Sequence, residues 1–168
     1  MSVHIQDSLA RAYREAGEAH DLDALLATLS PDVVFHSPLS DRARFAGHDQ
    51  VGELYTAVFS VLSDIRYHTD LGDETTRMLG ATARLGRQPL EEAALLHFDD
   101  DGLIAEITMW FRPLPALTAL MAALGPIMAR SIGKPGLPLL VAAAVKPLAT
   151  LTRVGDRTLV PLLTRPRP

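Results

Sequence analysis

Apolar residues recur at helical spacing from the start of the chain. Ile5, Leu9, Ala12, Tyr13 and Ala16 share one stripe, which predicts a helix over about residues 3–16, ended by Gly17. Asp21 then reads as an N-cap, and Leu22, Leu25, Leu26 and Leu29 form a second, shorter stripe stopped by Pro31. Val33-Val34-Phe35-His36-Ser37 is a short strand closed by Pro38, and residues 39–47 read as a polar, basic loop. Val51, Leu54, Tyr55, Val58 and Leu62 mark the buried face of a third helix over about residues 48–62.

The period then drops to two. Ile65, Tyr67, Thr69 and Leu71 alternate with Arg66, His68 and Asp70, which predicts a strand. Residues 77–85, 90–98 and 103–112 read as three more. Gly86-Arg87-Gln88-Pro89 and Asp99-Asp100-Asp101-Gly102 are the hairpin turns, the latter supplying a glycine where a tight turn needs positive φ. Helices followed by strands give an α+β class with an antiparallel sheet. A fourth helix is expected over about residues 114–130, weakened at Gly125-Pro126. A further apolar stretch, residues 137–151, is interrupted by Pro138 and Pro147, and residues 162–168 are expected to fray.

Composition sharpens this division. The chain has 168 residues, 48% hydrophobic and 21% charged, with net charge −4. Those numbers fit a folded globular chain with room for a real core. Residues 1–112 carry 9 basic and 19 acidic side chains (9 − 19 = −10), and residues 113–168 carry 7 and 1 (7 − 1 = +6). The domain division is therefore expected at 112/113: a body over 1–112 and a basic, Pro-rich helical extension over 113–168. An acidic body argues against nucleic acid as a partner. No cysteine is present, which excludes disulfides and thiol chemistry. The N-terminus lacks the pattern of a signal peptide, and no apolar run of about 18 residues stands out, so no spanning helix and a cytoplasmic location are expected.

The order of three segments resembles the nuclear-transport-factor-2-like (SnoaL-like) superfamily. They are residues 20–26 (His-Asp-Leu-Asp-Ala-Leu-Leu), 31–38 (Pro-Asp-Val-Val-Phe-His-Ser-Pro) and 45–51 (Phe-Ala-Gly-His-Asp-Gln-Val), with the closing hairpin over 96–113. The resemblance spans about residues 4–112. It implies a cystatin-like cone, a curved antiparallel sheet wrapped by N-terminal helices around an apolar pocket, and a homodimer through the sheet's outer face. Members include ketosteroid isomerase, limonene-epoxide hydrolase, scytalone dehydratase and polyketide cyclases, as well as modules without catalysis, so the fold leaves function open.

Compared with ketosteroid isomerase, Tyr13 falls on the position of the oxyanion-holding tyrosine. The base position holds Ser37, before Pro38, and the second acid position falls near Ala94. Serine has no useful basicity at neutral pH, and alanine donates nothing. Compared with the epoxide hydrolase, the last-strand acid falls near Met109, and Arg84 lacks a carboxylate two residues away.

Strand alternation fills in the rest. Leu90, Glu92, Ala94 and Leu96 are expected to face inward, with Ile107, Met109 and Phe111, and with Val33, Phe35 and Ser37. The expected ligand-binding residues are Phe35, Ser37, Tyr55, Leu96, Met109 and Phe111, and the occupant a hydrophobic small molecule. The candidate catalytic residues are Tyr13, His36 and Glu92. A carboxylate in apolar surroundings has its pKa raised toward acid–base use, histidine titrates near neutrality, and a preorganised tyrosine stabilises an oxyanion. The ordinary alternatives stay open: a solvated Glu92, a His36 bonding backbone, a core Tyr13. The histidines show no metal-binding spacing, and neither a metal nor a cofactor is expected. Isomerase, cyclase or hydrolase activity, or binding and association without catalysis, remain alternatives. In the extension, Lys134, Lys146, Arg153 and Arg157 flank apolar residues. The expectation there is a packed lid or, alternatively, contact with a membrane surface through residues 134–157.

Overall fold

A computed structural model describes residues 3–163. The chain divides after Phe111 into two compact units. The first unit holds helices α1 (Val3–Ala19), α2 (Leu22–Leu26) and α3 (Gly47–Val61) and strands β1 (Leu29–His36), β2 (Arg44–Ala46), β3 (Leu62–Gly72), β4 (Thr76–Leu85), β5 (Gln88–Phe98) and most of β6 (Ile104–Arg112). The second holds α4 (Leu114–Ser131), α5 (Leu137–Thr158) and α6 (Val160–Leu163).

The strands form one open, curved sheet in the order β2-β1-β6-β5-β4-β3. The class is α+β, as the pattern predicted. One pairing differs from an all-antiparallel sheet: β1 runs parallel to β6, with Phe35 opposite Ile107 and His36 opposite Thr108. The long path through α3 and three hairpin strands lets β6 return beside β1 in the same direction. A two-residue hairpin would have forced the opposite sense. Register shifts within β3 and along β1 supply local bends.

Several boundaries also differ. Gly17 does not end α1, which continues to Ala19, and His20 takes the positive φ of 57° that follows the helix. The predicted loop over 39–47 contains β2, paired with β1 from Ala46 to Arg44. Asp21 does cap α2, accepting from the Ala24 N–H at 3.0 Å. The acidic turn closes on Asp99, whose Oδ1 accepts from the N–H groups of Asp101 and Leu103, with Gly102 at φ 82°.

In the second unit α4 and α5 pack as a helical hairpin. Thr118 and Thr152 share a 2.6 Å hydroxyl hydrogen bond, and an added Cβ at Gly125 would sit 2.8 Å from Val141 Cγ1. Proline breaks neither helix. Pro138 lies in the first turn of α5, where a missing N–H costs nothing, and Pro126 and Pro147 are carried inside α4 and α5. The expectation that no segment is long enough to span a membrane is therefore corrected. By length and composition, Leu114–Ser131 and Leu137–Leu163 both reach that range. Most of the segment expected to fray, residues 164–168, lies outside the described residues.

Candidate active site

β5 carries Leu90, Glu92, Ala94 and Leu96 on one face, and all four are buried. A carboxyl group in such a row requires a polar partner. β3 supplies it, because the side chains of Tyr67 and Glu92 are hydrogen-bonded. Tyr67 is hydrogen-bonded in turn to Tyr13 on α1, with the two rings edge-to-face at 6.3 Å. Tyr13 Oη lies 2.5 Å from Tyr55 Oη on α3. Four side chains from two helices and two strands thus form one buried polar chain: Glu92, Tyr67, Tyr13, Tyr55. Phe35 on β1 closes its apolar side, edge-on to Tyr55 at 6.1 Å.

The position of Tyr67 is fixed from α1. Its backbone N–H donates to Glu18 Oε1 at 2.7 Å. Its ring lies over Gly17, where an added Cβ would sit 3.2 Å from both Cε2 and Oη. Gly17 therefore serves close approach. Arg14, one turn before Glu18, pairs with Asp70 at 3.2 Å, and Arg77 on β4 holds the same carboxylate at 2.6 Å. These contacts bind α1 to β3 on both sides of the tyrosine.

The electrostatics follow from burial. Desolvation pushes Glu92 up from 4.5 to about 7, against the lowering effect of the Tyr67 hydrogen bond. Desolvation also raises Tyr13, Tyr55 and Tyr67 above the ordinary phenol value, the Tyr13 shift being partly offset by its bond with Tyr55. Each hydroxyl has one proton to give. When Glu92 is ionised, Tyr67 donates to it. When Glu92 is neutral, its own O–H can donate to Tyr67, which leaves the Tyr67 proton for Tyr13. The protonation of one carboxyl thus sets the direction of the chain, and each bond polarises the next. Such an array can take up or deliver a proton near neutral pH and can donate to an oxygen that gains charge.

The expected site residues separate into groups. Tyr13, Tyr55, Phe35 and Glu92 come together; Glu92 is only 9% exposed, so it is not a solvated strand end. Leu96 and Met109 are buried on β5 and β6, and Phe111 is half-buried near the end of β6. His36 is not brought to Tyr13 and Glu92. It follows Phe35 on β1 and so points to the opposite face, where Nε2 lies 2.6 Å from Glu106 Oε1. Ser37 also departs from the inward placement expected of it. β1 ends at His36, and Ser37 Oγ turns to accept from the Leu39 N–H at 3.2 Å. Ser37 and His36 line an open groove of about 460 Å³ with Arg44, Glu106, Thr108 and Trp110, which Met109 also borders. Among the described residues no cluster of His, Asp or Glu is arranged to hold a metal.

Tyr67 and Gly17 were the residues that sequence reasoning missed. The period-two pattern placed Tyr67 on the same face as Ile65, but no local signal tied it to Glu92, 25 residues away on a strand that is not its neighbour in the sheet.

Residues 10–107 match the family model of the SnoaL-like domain. Among solved structures, the chain is similar to a steroid delta-isomerase from Pseudomonas aeruginosa, with 29% identity and a TM-score of 0.68 over 77% of this chain and 96% of that one. It is also similar to an uncharacterised protein with a cystatin-like fold from Silicibacter pomeroyi (24% identity, TM-score 0.67, 74% and 85% of the two chains). A third is an NTF-2 like protein of unknown function from Burkholderia xenovorans (17% identity, TM-score 0.59, 64% and 83%). A search of curated protein sequences finds no match.

Proposed function

Because the chain belongs to the SnoaL-like domain family, we propose that its first unit binds a hydrophobic small molecule bearing a carbonyl group and moves a proton on it. The observation that carries this reading is Glu92: a buried carboxyl raised to about 7 and hydrogen-bonded into a chain of three tyrosines. At neutral pH such a group is divided between base and acid, the condition for accepting a proton from one carbon and returning it to another. The tyrosine hydroxyls are the donors for the oxygen that becomes an enolate. The likeness to the Pseudomonas steroid delta-isomerase supports a steroid-like, apolar ligand. In this reading the base has moved. Ser37 and Ala94 carry no carboxyl, and Glu92 takes the acid–base role from a different position on β5. Phe35, Leu96, Met109 and Phe111 supply the apolar walls. The protein is a homodimer through the sheet's outer face, where Trp110 is 48% exposed.

A second reading, a binding module without chemistry, is favoured by the missing carboxylates at 37 and 94 and shares the same pocket. One experiment separates the two. Native mass spectrometry of the purified full-length protein reads oligomeric state and any bound compound. Conversion of a β,γ-unsaturated steroid ketone to its conjugated isomer, followed by ultraviolet absorbance, then reads turnover. Isomerisation that falls about 100-fold or more in Glu92→Gln supports the catalytic reading. Binding without turnover, unchanged in Glu92→Gln, supports the module. Neither binding nor turnover with this or other apolar ketones overturns both.

A further inference from the structure

The helical hairpin of the second unit divides α5 into three stripes. Val141, Val145, Ala149 and Thr152, at i, i+4, i+8 and i+11, form the face turned to α4: Val141 approaches Gly125, and Thr152 bonds Thr118. On the far side lie Leu140, Leu151 and Val154, between 52% and 69% exposed. Lys146, Arg153 and Arg157, at i, i+7 and i+11, run along one border of that apolar stripe, and all three are exposed. The apolar exposure continues past α5 through Leu159, Val160, Leu162 and Leu163.

We infer that this face of α5 docks on a lipid bilayer with an anionic surface. Isolated exposed leucines mean nothing, but a stripe sustained over about four turns and continued into α6 is a surface built to leave water. Its composition matches an interfacial helix, with an apolar face to enter the acyl boundary and long basic side chains beside it to reach the headgroups. The segment from Leu137 to Leu163 is apolar enough to enter a membrane, and of α5 and α6 Ala149 alone is buried within the protein. The charge selects the sign of the lipid: residues 113–168 carry 7 basic groups against the single acid Asp156. Asp156 lies towards the α4-facing side of the helix, away from the apolar stripe. A second copy of the chain fits less well, because a two-fold contact through this stripe would bring two basic borders together with no acid on the face to meet them. Docking is independent of the chemistry at Glu92.

Flotation of the full-length protein with vesicles tests the inference. Vesicles of phosphatidylcholine and phosphatidylglycerol (about 3:1) and of phosphatidylcholine alone are compared at low salt. The protein is expected to float with the anionic vesicles and several-fold less with the neutral ones, with binding that weakens as salt rises. Lys146→Gln/Arg153→Gln leaves the apolar stripe intact and should lower anionic-vesicle affinity about 25-fold, about fivefold for each charge. Leu140→Asp/Leu151→Asp should abolish flotation while the far-ultraviolet helix signal stays native, both positions being exposed. Wild-type protein that stays at the bottom with both vesicle types overturns the inference. So does a leucine double variant that still floats but loses a dimer seen by light scattering, which would give the face to a second copy.

Discussion

Glu18 on α1 accepts a hydrogen bond at 2.7 Å from the backbone N–H of Tyr67 on β3, 49 residues away. That N–H belongs to the strand bearing the hydroxyl that meets Glu92, so a helix carboxylate seats the group that partners the buried acid. Removing the acceptor in Glu18→Ala leaves a β3 N–H unpaired and should cost about 1–2 kcal/mol in urea unfolding. Glu18→Gln keeps an oxygen and should lose less. Equal losses in both variants would show that the charge of Glu18, not its hydrogen bond, matters.

Glu92 should impose a pH dependence on stability. Its folded pKa of about 7 lies above its ordinary value of 4.5. The folded state therefore holds a proton that the unfolded chain has released between those values. The sign is fixed: this contribution is fully present below about pH 4.5, declines as pH rises, and is lost above about pH 7. The decline amounts to about 3 kcal/mol. Glu92→Gln should flatten that part of the profile and melt several degrees above wild type at pH 8. Denaturation followed from pH 4.5 to 8 reads it directly, and parallel wild-type and variant profiles would refute a buried, raised Glu92.

The hydroxyl chain predicts unequal effects of two conservative changes. Tyr67→Phe removes the group that lowers the Glu92 pKa. The carboxyl should then titrate above about 7, which carbon-13 NMR of the labelled side chain detects. Tyr13→Phe leaves the buried Tyr55 hydroxyl without its 2.5 Å partner and should destabilise the fold by about 1–3 kcal/mol. Under the proposed function it also weakens ligand binding or turnover. The homodimer of the proposed function, read by native mass spectrometry, should survive in both.

Gly17 tests whether close approach governs the seat of Tyr67. A helix-interior glycine replaced by alanine ordinarily gains about 1 kcal/mol. Here the new Cβ would meet Tyr67 at 3.2 Å, so Gly17→Ala should show less than that gain or a net loss. Gly17→Leu should displace the ring and raise the Glu92 pKa, as Tyr67→Phe does. A full alanine gain with unchanged Glu92 titration would remove Gly17 from the site.

His36 provides the contrast. Its partner Glu106 is 45% exposed, and pairs of this kind contribute about 1 kcal/mol or less. His36→Ala should therefore alter stability slightly and leave Glu92 titration and ligand binding unchanged. A loss of turnover comparable to Glu92→Gln would return His36 to the catalytic set.

The amino-acid pattern determined the α+β class, the core faces of the helices and strands, the change of character near Arg112 and the inward stripe that carries Glu92. Each rests on near neighbours in sequence: the helical period, the two-residue alternation, Gly102 in an acidic turn, a run of basic residues with one acid. Tertiary structure decided the rest. The parallel pairing of β1 with β6 depends on the return of a distant strand, and the placement of Ser37 depends on where β1 stops. The site itself is a meeting of Tyr13, Tyr55, Tyr67 and Glu92 from α1, α3, β3 and β5. Alternation gives the face on which each residue stands, but only packing brings four hydroxyl and carboxyl groups within reach of one another. Only their shared burial raises the carboxyl to about 7. A pKa is a property of surroundings, and those surroundings are assembled by contacts across up to 79 positions of chain, from Tyr13 to Glu92 (92 − 13 = 79).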